Sequence, residues 1–363
     1  MALVLVIKLL VPGMLPAQEG IMKRTEPSLS QAFADNFYVG MSIGPRSLDN
    51  QSVWSLIRHH CRRVTIENVM KPGLLQPHPG EFTFEKADRL VEAALAAGMA
   101  VHGHTLVWHR QSPDWFFEDA DGAPVDRETA LQRLREHITA VMTRYRGRVL
   151  SWDVVNEALA DGRGDNDFRK SQWYEVLGTD YIVEAFRAAA AADPDVLLFY
   201  NDYGIETEPK RSRVLRLVEM LRAAGVRIDG IGIQAHLQVD RPPLAEIEAS
   251  IKAFAEAGLI VHVSELDVSV LPWREPGSEL MEEDRVFEEG LTEEMHQRQA
   301  QRYRELFDLF VRHSAVIQAV TFWNTHDGDT WLNNFPVRGR TDHPLLFDRA
   351  LQPKPAFHAV TGN

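Results

Sequence analysis

A chain of 363 residues with 45% hydrophobic side chains can build a large core, which excludes a disordered or low-complexity protein. Its 39 Lys plus Arg against 52 Asp plus Glu give a net charge of −13, so repulsion of phosphate excludes nucleic acid as a natural partner. Cys61 is the single cysteine, and no internal disulfide can form.

In chain order, residues 2–15 (ALVLVIKLLVPGML) are almost wholly apolar, and small Ala17 follows. This reads as a signal peptide over 1–18, removed on export to an extracellular or periplasmic location. Lys8 interrupts the run, and it is too short to span a bilayer. No later segment suits a membrane, so the mature form is expected to be free of one. A single catalytic domain is expected over 28–361.

Eight short β-branched or apolar runs follow. They are 37–43, 62–68, 100–107, 149–156, 197–202, 230–237, 260–267 and 318–324. Helical periodicity fills the gaps at about 86–98, 128–146, 180–192, 208–224, 243–258 and 292–313. Gly98, Gly225 and Gly258 stand where such helices stop. Strands alternating with helices imply parallel pairing through right-handed crossovers. Eight such units predict an α/β fold, a single (β/α)₈ TIM barrel. An open doubly wound sheet would want a Gly-rich phosphate loop after the first strand, and MSIGPR is not one.

In a barrel the chemistry lies at the C-terminal strand ends. Those positions hold Glu67 and Asn68, His104 and Trp108, Asn156 and Glu157, Asn201 and Asp202, Gln234 and His236, Glu265, and Trp323. Glu157 and Glu265 end the fourth and seventh strands, across the barrel mouth from one another. Glycoside hydrolysis needs such a pair: an acid for the leaving oxygen and a carboxylate facing the anomeric carbon. Retention of configuration would place the carboxyls about 5–5.5 Å apart. The Glu265 charge is expected to raise the Glu157 pKa. Asn156 could bind a sugar 2-hydroxyl, but strict alternation sends it and Glu157 to opposite faces unless the strand bends there. His236 shares the face of Gln234 and is placed to hold Glu265 ionised. Glu67, Asn68 and Lys71 offer an acceptor, an amide and a cation for hydroxyls. Trp108, Trp323 and Trp331 could wall a cleft. A rival reading takes His102 and His104 as metal ligands, joined by His236 and Asp327.

The motifs TIENVMK, GHTLVWHRQ, WDVVNEA, YNDY, GIGIQAHL, VSELD, TFW and PLLFD, in that order, resemble those of the glycoside hydrolase family 10 xylanases. The resemblance runs from Phe33 to Phe357. It implies an endo-1,4-β-xylanase acting on xylan and xylo-oligosaccharides by retaining double displacement. Glu157 would be the acid/base and Glu265 the nucleophile. Glu67, Asn68, Lys71, His104, Trp108, Gln111, Asn156, Tyr203, Gln234, Trp323 and Trp331 would bind substrate, and His236 would partner the nucleophile. The resemblance further implies a monomer, no cofactor, no metal, and a non-proline cis peptide after His104. The chain departs from the family after TFW. Most members have Gly-Val-Thr/Ser-Asp, whereas Asn324, Thr325, His326 and Asp327 stand here, and 332–341 also differs.

Overall fold

The computed structural model describes residues 26–362, so the signal peptide expected over 1–18 lies outside the described residues. Among the described residues nine strands run in chain order: β1 (Tyr38–Ile43), β2 (Arg63–Ile66), β3 (Ala100–Trp108), β4 (Ser151–Asn156), β5 (Leu197–Asp202), β6 (Gly230–Ile233), β7 (His236–Gln238), β8 (Ile260–Ser269) and β9 (Ile317–Phe322). Neighbours in the sequence pair in parallel from β1 to β6, β6 pairs with β8, and β9 returns to β1. The eight-stranded barrel is therefore closed, and it has no free edge.

The long helices on its outside match the expected ones to within two residues, for example Asp180–Ala192 and Glu293–Arg312. Three helix starts are set by side chains that accept orphan amides. Asn50 accepts from Ser52 N and Val53 N, Asp126 from Thr129 N, and Thr292 from Met295 N. Along Glu293–Arg312, buried Ala300, Tyr303, Leu306, Phe307 and Phe310 recur at helical spacing and face the barrel. Among the described residues, no helix is long and apolar enough to cross a membrane.

One expected strand is divided. Residues 230–237 were expected to run unbroken, but Ala235 adopts φ 60°, a left-handed conformation that cannot continue the ladder. β6 stops at Ile233, and the short β7 pairs further along β8, with His236 opposite Asp267. Register shifts interrupt β3–β4 between His104 and Val107, β4–β5 between Asp153 and Val155, and β8–β9 between Val263 and Leu266. A fourth shift, between Val261 and His262, lies near the start of β8. Bulges of this kind re-aim side chains next to active sites.

The barrel floor is unusually polar. Arg63, fully buried, reaches Ser151 Oγ at 3.1 Å and the His262 ring at 3.1 Å, and His102 Nδ1 lies 2.8 Å from Ser151 Oγ. Gly103 makes room for the Trp152 ring, since a Cβ there would sit 2.2 Å from it.

Candidate active site

Glu157 follows the last residue of β4 and adopts φ 57°. That turn is the bend that strict strand alternation lacks. It brings both neighbours to the cleft, with Asn156 Nδ2 3.3 Å from Glu157 Oε1. Asn68, Gln111 and Asn324 share this left-handed backbone, at φ 59°, 53° and 80°. Conformations of this kind are costly for residues with a Cβ and persist where the surroundings hold them. At Glu157 the holder is Arg169, whose Nε donates to the Glu157 carbonyl at 3.0 Å.

Besides Asn156, the Glu157 carboxyl accepts from two further neutral donors. Gln234 Nε2 reaches Oε1 at 3.0 Å, and Trp108 Nε1 reaches Oε2 at 2.9 Å. Glu265, on β8, accepts on Oε1 from Asn201 Nδ2 at 2.7 Å. Asn201 is oriented by Ser264, whose hydroxyl donates to its Oδ1 at 2.6 Å. Asn201 and Gln234 also lie 3.0 and 3.3 Å from Asn156 Oδ1. One run of amides on β4, β5 and the end of β6 thus ties the two buried carboxylates together.

On its other oxygen, Glu265 faces His236 Nε2 at 3.3 Å, while His236 Nδ1 lies 2.9 Å from Asp267 Oδ2. Burial opposes charge on this ring, but Asp267 and Glu265 outweigh it and push the His236 pKa up to about 10. His236 is therefore an imidazolium at neutral pH, donating to a carboxylate on each side.

Glu157 differs from expectation. Burial pushes its carboxyl up, but donation from Gln234 and Trp108 and the nearby charges of His109 and Lys210 hold it below the usual value. The expected upward push from Glu265 is not what governs it. Burial pushes Glu67 up, against the pull of Lys71 and with added repulsion from Glu265.

The remaining expected residues, Gln111 apart, form linked contacts around the cleft. Glu67 accepts from Asn68 Nδ2 at 3.3 Å and Asn324 Nδ2 at 3.1 Å. Lys71 Nζ donates to Asn68 Oδ1 at 3.0 Å and lies 4.6 Å from the Trp108 ring centre. Trp108 therefore serves as a donor to Glu157 with a cation over its ring, a different use from a bare stacking surface. His104 is followed by a cis peptide bond, and its Nδ1 lies 2.9 Å from Asp153 Oδ2. Trp323 packs edge-on to His104. Trp331 donates from Nε1 to Asp267 Oδ2 at 2.8 Å. The Tyr203 hydroxyl accepts from Arg169 at 2.8 Å and donates to Asp161 at 2.7 Å. Gln111 stays exposed, and its carbonyl accepts from Gly73 N at 2.7 Å.

The metal-ligand set weighed from the sequence is not assembled. His102 and His104 both close on Asp153, at 3.0 and 2.9 Å, and Asp327 is paired with Lys354 at 2.9 Å. Among the described residues, only Glu26, His59 and His60 converge closely enough to hold an ion, and they belong to neither set.

Asp153, Asn201, Asp267 and Arg169 were given no role from the sequence. Asp267 carried a signal, since it stands two residues after Glu265 and so shares its strand face. Asp153 and Arg169 carried none, because their partners are distant in the chain.

A closed parallel barrel with two carboxylates buried at its C-terminal mouth, one beside an imidazolium, defines a two-carboxylate glycoside hydrolase. The family model for glycosyl hydrolase family 10 matches residues 28–363, and the chain belongs to that family. An endo-1,4-beta-xylanase of Geobacillus stearothermophilus is 44% identical over 334 residues, covering 92% of this chain and 98% of that one. Endo-1,4-beta-xylanase B of Paenibacillus barcinonensis is 43% identical, covering 93% and 98%. Among solved structures, a GH10 endoxylanase retrieved from a sugarcane soil metagenome superposes with a TM-score of 0.89 at 36% identity, over 92% of this chain and 99% of that one. The P. barcinonensis xylanase XynB, complexed with a conduramine derivative, gives 0.86 at 42% identity, over 93% and 99%.

Proposed function

We propose that this protein is an endo-1,4-β-xylanase that cuts β-1,4-xylosidic bonds with retention, with Glu265 as nucleophile and Glu157 as acid/base. The observation that carries this reading is the unequal pairing of the two carboxylates. Glu265 lies between a fixed amide and an imidazolium, which hold its carboxyl in one orientation for attack on the anomeric carbon. Glu157 has neutral donors only within hydrogen-bond reach, at Asn156, Gln234 and Trp108, which leaves it free to take up and release a proton. In the first step Glu157 protonates the leaving oxygen while Glu265 attacks the anomeric carbon. In the second, Glu157 takes a proton from water as the water displaces Glu265.

Because its carboxyl is held low, the protonated fraction of Glu157 limits the first step. kcat/KM then falls as pH rises through this pKa. Trp108→Phe removes a donor to the ionised form, so the Glu157 pKa rises and the alkaline limb of the kcat/KM profile moves to higher pH. A limb that stays in place, or moves down, removes Trp108 from this role.

Xylan and cellulose differ by one hydroxymethyl per sugar, and the 2- and 3-hydroxyls that Glu67, Asn68, Lys71 and His104 can hold are common to both. Discrimination therefore comes from exclusion by a rigid wall. Trp323, pressed on His104, and Trp331, fixed by Asp267, can supply it. The expected preference for xylan is on the order of a hundredfold in kcat/KM. Replacing the wall Trp by Ala narrows it, mainly by losing xylan turnover. Initial rates on xylan, carboxymethylcellulose and mannan, with NMR of the first-formed anomer, test substrate and stereochemistry together. Equal rates on xylan and carboxymethylcellulose, or inversion, would end this reading.

The apolar run at 2–15 supports export, so the site of action is extracellular or periplasmic. The mature chain acts there as a monomer, with 28–361 as one catalytic domain.

A further inference from the structure

Ala235 stands between the two residues that address the carboxylates. Its left-handed backbone places its amide beyond the end of the β6 ladder, and the residue is buried. A buried amide needs an acceptor. Glu206 supplies it, for Ala235 N donates to Glu206 Oε1 at 3.0 Å. On the far side of the residue, Asp267 N donates to the Ala235 carbonyl at 3.3 Å. Gln234, just before Ala235, donates to Glu157 at 3.0 Å. His236, just after it, faces Glu265 at 3.3 Å. The contacts to both carboxylates therefore hang from either side of one strained residue.

Glu206 is itself held firmly. It lies in the loop between β5 and the helix Lys210–Ala223, and it is only 3% exposed. Arg211, in the first turn of that helix, donates from Nη2 to the Glu206 carbonyl at 2.9 Å and from Nε to Ser250 Oγ at 2.7 Å. Ser250, on the helix Leu244–Glu256, donates in turn to the Ile205 carbonyl at 2.8 Å. Burial pushes the Glu206 carboxyl up, against the pull of its amide bonds and of the His236 and Lys210 charges. A buried carboxylate costs more than a buried neutral acceptor. The fold bears that cost where a residue with a Cβ must be kept at φ 60°.

We infer that Glu206 is a positioning residue for both carboxylates: by fixing the Ala235 backbone it sets where Gln234 meets Glu157 and where His236 meets Glu265. The inference rests on the roles given above to Glu157 and Glu265. Glu206 acts through the main chain. The peptide units on either side of Ala235 are rigid, so a change in its two soft dihedrals swings Gln234 and His236 relative to one another. A displacement of about 1 Å in a catalytic group is enough to cost on the order of a hundredfold in rate.

Two variants separate position from charge. Glu206→Gln keeps an acceptor for Ala235 N and removes the charge, while Asp267 and Glu265 still face His236. Glu206→Asp keeps the charge but draws it back by one methylene, out of reach of the amide. Measured below its melting temperature, Glu206→Asp is expected to lower kcat about tenfold to a hundredfold. The loss should appear on xylan and on an activated aryl xylobioside alike, because the Ala235 backbone serves both carboxylates. The alkaline limb of kcat/KM should also move to higher pH. Gln234 withdraws from the ionised Glu157, while the charges of His109, Lys210, Lys71 and Asp202 around it remain. Glu206→Gln should stay close to the wild-type rate, with its limb in place. The inference is overturned if Glu206→Gln loses as much as Glu206→Asp, if Glu206→Asp leaves kcat unchanged, or if its limb does not move. Failure of Glu206→Asp to fold overturns it too, because the residue then holds the barrel rather than the site. A wild type inert on both substrates overturns the xylanase reading instead.

Discussion

Glu265→Gln is expected to lower kcat on xylan by on the order of 10⁴ to 10⁶-fold, the scale on which removal of a nucleophile acts in other enzymes. The amide keeps the shape of the side chain, so the barrel and the sugar contacts stay in place while the covalent route closes. The change has a second expected readout. Glu265 is one of two anions that lift the His236 pKa to about 10, and with Asp267 alone the imidazolium titrates at lower pH. Nitrogen chemical shifts of His236 measure this directly and show that the variant is folded. In the wild type, a mechanism-based fluoro-sugar should label Glu265. Label on Asp267 or Glu67, or near-normal turnover by Glu265→Gln, shows that another carboxylate attacks.

The barrel and the placement of both carboxylates at its mouth were legible because they depend on local pattern. Alternating strand and helix periods fix the architecture, and residues at the C-terminal strand ends fall at the mouth whatever the details. The bends were not legible. Nothing in VVNEA shows that Glu157 takes φ 57°, and nothing in IQAHL shows that Ala235 breaks the strand. These conformations are imposed by contacts from elsewhere, such as Arg169 on the Glu157 carbonyl. Charge states were harder still. The Glu157 pKa depends on which donors reach its oxygens, and Trp108 and Gln234 come from β3 and from just beyond β6. Reasoning from the nearest like charge pointed the other way, because burial is outweighed by donation from Gln234 and Trp108 together with the charges of His109 and Lys210.

The chain-specific part of the site shows the same division. The resemblance sets Gly in most members where Asn324 stands, and the sequence marks this departure without its meaning. In the structure Asn324 keeps a Gly-like φ of 80°, and its side chain joins two parts of the cleft. Nδ2 donates to Glu67 Oε2 at 3.1 Å, and Oδ1 accepts from Trp331 N at 3.0 Å. Asn is among the residues that tolerate this backbone best, so the fold keeps its turn and gains a link from Glu67 to the wall.

Glu157→Ala is expected to split substrates by leaving group. Departure of a sugar alkoxide needs a proton, so xylan turnover should fall by roughly 10² to 10⁴-fold, the usual contribution of a general acid. An activated aryl xylobioside leaves without help, and its first step should stay close to the wild-type rate. The second step then limits, because no base remains to activate water, and the glycosyl-enzyme accumulates behind a burst of phenol. Azide is a nucleophile that needs no base, and the truncated side chain leaves space for it beside Trp108 and Gln234. Added azide should restore steady-state turnover of the aryl substrate and release a glycosyl azide. Its configuration should match that of the substrate, since a second displacement at Glu265 restores the anomeric centre. Equal losses on both substrate types with no azide response would mean that Glu157 is not the acid/base. A rescued product of inverted configuration would mean that azide attacks the substrate directly and that Glu265 forms no covalent intermediate.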